Sequence, residues 1–130
     1  MAEHYAQQDA RPEVIIPVPL HTGRLRERGF NQALELARPV AARLRIPINI
    51  HACARTRGTA AQSDLPAAQR TKNVKGAFEL REPLKEVHRV AIIDDVMTTG
   101  ATVDELARVL IAAGVENVQV WVCARAVLNS

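Results

Sequence analysis

Residues 90–102 read VAIIDDVMTTGAT, and this stretch decides the fold. Val90 to Ile93 form an unbroken apolar run without polar alternation, the pattern of a strand buried on both faces in a parallel sheet. Asp94 and Asp95 end the run, and the chain is expected to leave the strand there and turn through Thr98, Thr99, Gly100, Ala101 and Thr102 into a helix. In ATVDELARVLIAAG the residues Val103, Leu106, Ala107 and Leu110 recur at intervals of three and four, which predicts an amphipathic helix. Asp104 and Glu105 fall near its positive pole, and Gly114 is placed to terminate it. VQVWVCA follows as a further strand. This order of strand, helix and strand is that of an α/β fold.

Toward the N-terminus the same alternation repeats. VIIPVP, Val14 to Pro19, reads as a strand entering a proline-constrained loop, HTGRLRERG. Phe30, Leu34, Ala37, Ala41 and Leu44 then predict a helix to about Arg45, kinked at Pro39. IPINIHACA, Ile46 to Ala54, reads as one strand, and AFEL as a brief return strand. Between them some twenty residues from Arg55 carry no hydrophobic period, as a flexible flap would. The expectation is a mainly parallel twisted sheet flanked by helices, with residues 14–130 as the domain and 1–13 as a disordered or remnant segment.

Composition narrows the function. The 130 residues suit one domain, and 48% hydrophobic against 24% charged residues is an ordinary globular balance. No apolar run is long enough to span a bilayer, and none near the start resembles a signal peptide, so the expectation is a cytoplasmic chain without membrane insertion. The net charge of +3 conceals an asymmetry: residues 11–81 hold 13 basic and 5 acidic side chains, residues 82–130 hold 4 and 7. A basic face for an anion beside an acidic segment for hydroxyls or a metal is the implied division. Tyr5, Phe30, Phe78 and Trp121 are the only aromatic residues, too few for a nucleic-acid stacking surface. Cys53 and Cys123 lie in strand-like runs and read as reduced core thiols, His51 and His88 as surface histidines.

The chemistry lies where the central strand ends, since open α/β sheets bind ligands beyond the carboxyl ends of their strands. Gly100 lets the backbone approach closely, the threonine hydroxyls donate, and the helix start adds partial positive charge, a cradle for a phosphate. Asp94 and Asp95 beside it suit vicinal hydroxyls, or Mg²⁺ held through water. Phosphate next to diol describes a ribose 5-phosphate. The plainer alternative is a strand end followed by a capping box of Thr102 and Glu105. A triphosphate-binding G-x-x-x-x-G-K-[ST] loop is not in the sequence.

Residues 90–102 resemble the diphosphoribosyl-binding motif of the type I phosphoribosyltransferases. VPLHTGRLRERGFNQA at 18–33, the series Arg55, Thr59, Gln62, Leu65, Arg70, Asn73, and GAF at 76–78 are similar to the ComF/GntX group of that superfamily. The resemblance implies a phosphoribosyltransferase that binds 5-phosphoribosyl 1-diphosphate (PRPP) with Mg²⁺. Asp94 and Asp95 would then take the ribose as catalytic residues and hold the metal through water, with Thr98, Thr99, Gly100, Ala101 and Thr102 on the 5-phosphate. The pyrophosphate would fall to His21, Thr22, Gly23 and Arg24, joined by Arg70 and Lys72 of the flap. The group is associated with competence and DNA utilisation, so a competence helicase or single-stranded DNA is a further candidate partner, and an adaptor in DNA uptake working with either is one alternative reading. A PRPP-sensing module without chemistry is an alternative, and the acceptor and any homo-oligomer stay open. Members usually carry an N-terminal zinc ribbon of paired CxxC motifs, which this sequence lacks; a fragment or a short member is implied.

Overall fold

The computed structural model describes residues 2–3, 11–20, 31–56, 76–97 and 100–125, and for 2–3, 96–97 and 123–125 the backbone alone. The elements are β1 (Ala2–Glu3), β2 (Val14–Pro17), α1 (Gln32–Leu44), β3 (Cys53–Arg55), β4 (Phe78–Leu80), β5 (Arg89–Met97), α2 (Ala101–Ala112) and β6 (Asn117–Arg125). Four strands form one sheet in the order β1-β6-β5-β2, and β3 pairs with β4 in a second. Strands β2, β5 and β6 run parallel, with Val14 opposite Val90 and Val90 opposite Val118. The expected α/β architecture with a parallel core is therefore present. Among the described residues no helix is long and apolar enough to cross a membrane.

Period-two alternation divides the core between the two faces of the sheet. Val14, Ile16, Val90 and Ile92 pack with Val103, Leu106, Ala107 and Leu110 of α2 and with Phe78 of the small sheet. Ile15, Ala91 and Ile93 point the other way, against Ala37 and Ala41 of α1. Every residue of Val90 to Ile93 is at most 4% exposed, as a strand covered on both sides requires.

Several expectations are corrected. Within the segment 1–13, expected to be disordered or a remnant, Ala2–Glu3 adds an antiparallel strand on β6, with Ala2 opposite Trp121. Helix α1 buries the alanine series Ala33, Ala37 and Ala41, while Leu44 is exposed at the last turn before Arg45 takes a left-handed φ of 57°. Pro39 stands exposed within α1, and the helix runs on through it to Leu44. Phe30 lies outside the described residues. IPINIHACA is two pieces: Ile48 bridges Ile15 in parallel, and Cys53–Arg55 pairs antiparallel with Phe78–Leu80. The break is made by Asn49, whose side-chain oxygen accepts the N–H groups of His51 and Ala52, both at 2.9 Å. Cys53 is a free buried thiol pushed up to about 11 by desolvation, which keeps it unreactive.

Asn31 is the N-cap of α1. Its Oδ1 accepts the N–H of Leu34 at 3.3 Å and its Nδ2 donates to the Val18 carbonyl at 3.1 Å, so one side chain ties the helix start to the end of β2. Asn31→Ala is expected to lower unfolding free energy by about 1–2 kcal/mol, the cost of losing such a cap, read as a shifted urea midpoint. At the other end of the sheet the Glu13 carboxylate accepts the N–H groups of His88 and Arg89, at 2.6 and 2.9 Å. Those two bonds hold its carboxyl below the usual range and fix β2 against β5.

Candidate functional site

Strand β5 does not end at its acids. It continues to Met97, with Asp94 opposite Val122 and Val96 opposite Ala124, so Asp94 sits on the ladder and Asp95 within the strand. This corrects the expectation that the chain leaves the strand at Asp94 and Asp95. A parallel neighbour on each side of Val90–Ile93 fixes where the acids stand, at the carboxyl end of the sheet's central region.

Asp94 continues the Val90 and Ile92 series and falls on the face covered by α2 and the small sheet. The Asp95 N–H donates to its Oδ1 at 2.9 Å. Burial, followed by the hydrogen bond and charge of the Asp95 side chain, pushes the Asp94 carboxyl up to about 7; the Asp95 N–H and the charge of Arg55 act in the opposite direction. A carboxyl poised near neutrality beside a second one can donate as well as accept, which suits a pair of neighbouring hydroxyls. Two adjacent oxygen donors with mutual repulsion also fit a hard cation held through water. Among the described residues no group of three or more His, Cys, Asp or Glu side chains gathers as a closed metal cage.

Arg55, on the small sheet, lies near enough for its charge to bear on Asp94. It stands opposite Phe78 in the β3–β4 ladder, with its guanidinium carbon 5.3 Å from the centre of the buried Phe78 ring. Arg55, expected at the start of the flap, is instead the last residue of β3. Immediately after it Thr56 donates both its N–H, at 2.7 Å, and its Oγ1, at 3.1 Å, to the Ala77 carbonyl.

Helix α2 starts from Gly100, which holds a left-handed φ of 84° as N-cap and has no side chain to occupy the cap. A left-handed residue at this point is what glycine tolerates and other residues resist. Ala101 and Thr102 are the first two helical residues, so a capping box of Thr102 with Glu105 does not form. Glu105 is instead buried, accepting the Gly76 N–H at 3.1 Å and pairing with Arg108. Nothing in the sequence pattern marks that contact, because its partner is a backbone group 29 positions away. Among the sequence-predicted site residues, Asp94, Asp95, Gly100, Ala101 and Thr102 are placed by the structure. Thr98, Thr99, His21, Thr22, Gly23, Arg24, Arg70 and Lys72 lie outside the described residues.

A parallel three-strand core with an acid pair near the carboxyl end of its middle strand and a helix opening at a left-handed glycine belongs to a recognisable class. Residues 31–126 match the phosphoribosyl transferase domain family, and the chain belongs to that family. Its relatives place it in the ComF group. It is 44% identical over 117 residues to Competence protein F of Haemophilus influenzae, covering 88% of this chain and 51% of that protein. It is 45% identical over 114 residues to DNA utilization protein YhgH of Shigella flexneri and 44% identical over 114 residues to that of Escherichia coli K12, covering in each case 88% of this chain and 50% of the relative. The chain thus spans about half the length of the curated relatives it matches. No solved structure matches it.

Proposed function

We propose that this chain binds PRPP together with Mg²⁺ and is the phosphoribosyl-handling domain of a DNA-utilisation protein. The reading rests above all on Asp94 and Asp95 standing near the carboxyl end of the central strand, a few residues ahead of the helix that opens at Gly100. Membership of the phosphoribosyl transferase domain family supports it. The competence and DNA-utilisation names of the relatives support the cellular role.

In this reading Asp94 and Asp95 grip the ribose 2- and 3-hydroxyls, while residues 98–102 take the 5-phosphate through backbone N–H groups and threonine hydroxyls. By the family resemblance His21, Thr22, Gly23, Arg24, Arg70 and Lys72 hold the pyrophosphate. Transfer forms a bond from an acceptor nucleophile to ribose C1 as the C1–O bond to pyrophosphate breaks, the bonding pair departing with the pyrophosphate. Asp94 and Asp95 would also hold Mg²⁺ through water, and the bound ion would supply charge neutralisation for that leaving group. The protein's own contribution is to hold the sugar still and to keep cations over the departing charge.

Calorimetric titration with PRPP, with and without Mg²⁺, tests the proposal. A saturable heat that requires the metal is expected. Its absence up to about 1 mM donor, a binding free energy weaker than about −4 kcal/mol, would refute donor binding.

A further inference from the structure

Glu105 is a carboxylate only 9% exposed on a helix whose other buried residues are Val103, Leu106, Ala107 and Leu110. Its charge is met by Arg108, Nε to Oε1 at 3.1 Å and Nη2 to Oε2 at 2.5 Å, one turn further along α2. The Arg108 side chain is itself largely exposed, so this pair neutralises and orients the carboxylate without reaching another element. Among the described residues Glu105 also reaches beyond its own helix, its Oε2 accepting the Gly76 N–H at 3.1 Å. Gly76 has a left-handed φ of 73° and leads into Ala77 and Phe78. From there the links are continuous: the Ala77 carbonyl receives both donors of Thr56, and Arg55, next in the chain, lies over Phe78 with its charge bearing on Asp94.

We propose that Glu105 is a positioning residue of the site: from the helix that opens at Gly100 it holds the Gly76 backbone and thereby keeps Arg55 over Phe78, on the face of the sheet that carries Asp94. The helix start and the cation of the small sheet are then fixed by one carboxylate, so the acid pair meets both in a set geometry. The functional part of this proposal rests on the donor-binding reading above; the brace itself does not. Its demand is for an acceptor oxygen at the end of a three-bond arm. Glutamine supplies one, and methionine, of similar length and helix-compatible, does not.

The test compares the native full chain with Glu105→Gln and Glu105→Met by NMR. Removing a buried charge in favour of an apolar side chain of similar volume keeps a fold, so the methionine variant separates positioning from stability. In Glu105→Met the Gly76 amide is expected to exchange about tenfold faster, the equivalent of one lost hydrogen bond, while the Ile92 and Val120 amides exchange as in the native chain. The Arg55 Nε–H resonance, displaced by the Phe78 ring, should move toward its position in free arginine. Glu105→Gln should keep both signals. Unchanged Gly76 exchange and an unchanged Arg55 resonance in Glu105→Met would overturn the brace, as would equal acceleration at Ile92 and Val120, which reports only a weaker fold.

PRPP titration with Mg²⁺ supplies the functional arm, with about tenfold weaker binding expected in Glu105→Met and near-native binding in Glu105→Gln. Equal affinity of the native and Met variants would overturn the positioning role. A native chain that gives no binding heat sinks the donor reading instead, and the exchange and Arg55 measurements then decide the brace alone.

Discussion

Replacing Asp94 and Asp95 together by asparagine is expected to abolish measurable PRPP binding, a loss of at least about a hundredfold. Hydrogen bonds made to charged acceptors contribute about 1.5–3 kcal/mol each, and removing two from the ribose reaches that factor before the metal is considered. Asparagine keeps the size and one oxygen of each side chain but removes the charge that would hold Mg²⁺ through water. Calorimetry on the native and double-variant chains reads the effect directly, with circular dichroism confirming that the variant is folded. Equal affinity in the two proteins would remove the acid pair from the site. Loss of the metal requirement with affinity retained would assign the pair to the cation alone.

The same pair sets a pH dependence of stability. Asp94 is held at about 7 in the folded chain against an ordinary value of 3.8, chiefly by burial. Between those values the folded protein binds a proton that the unfolded chain has released, so this contribution is complete below about pH 4 and is lost as pH rises through about 7. At about 1.36 kcal/mol per pKa unit the ceiling is on the order of 4 kcal/mol, and solvent at a half-buried carboxylate reduces it to roughly 1–3 kcal/mol. Asp94→Asn, which imitates the neutral acid, is therefore expected to raise the melting temperature by roughly 5–10 °C at pH 8 and to leave it unchanged at pH 4. Glu13 works with the opposite sign, its contribution present above its unfolded pKa and lost as pH falls. Because Glu13 is common to both proteins, the difference between native and Asp94→Asn melting curves isolates the aspartate. Parallel curves from pH 4 to pH 8 would remove burial as the controlling influence on Asp94. A stabilising substitution at a binding acid is the usual sign of a site that gives up stability for function.

The parallel core was legible because its cause is local. Val90 to Ile93 carry no polar alternation, and only a strand covered on both faces accommodates that; the inward residues of α2 followed equally from spacing alone. The small sheet was only partly legible. AFEL suggested a return strand, but the apolar continuity of residues 46–54 hid the turn at Asn49 that sends Ile48 to one sheet and Cys53 to the other. At the site, the adjacency of the two acids and of Gly100 to a helix start was written in the order of residues. The strand's extension to Met97 was not, since it depends on the length of β6 alongside it. Nor was the approach of Arg55 and Glu105, because each is brought in by a ladder or a backbone contact between distant positions. Electrostatic state was the least legible quantity: an aspartate's ionisation follows from what covers it.

The flanks of the main sheet carry a consequence for self-association. On the β2 side the backbone of Ile15 is already engaged, its N–H donating to Pro47 and its carbonyl accepting from Asn49, both at 2.9 Å. On the β6 side Ala2–Glu3 lies against Val120 and Trp121. Exposed rims are where proteins zip together into ribbons and aggregates, and short covering stretches are a common safeguard. With the backbone engaged at these positions, strand addition from another molecule has no purchase at Ile15 or along Val120 and Trp121.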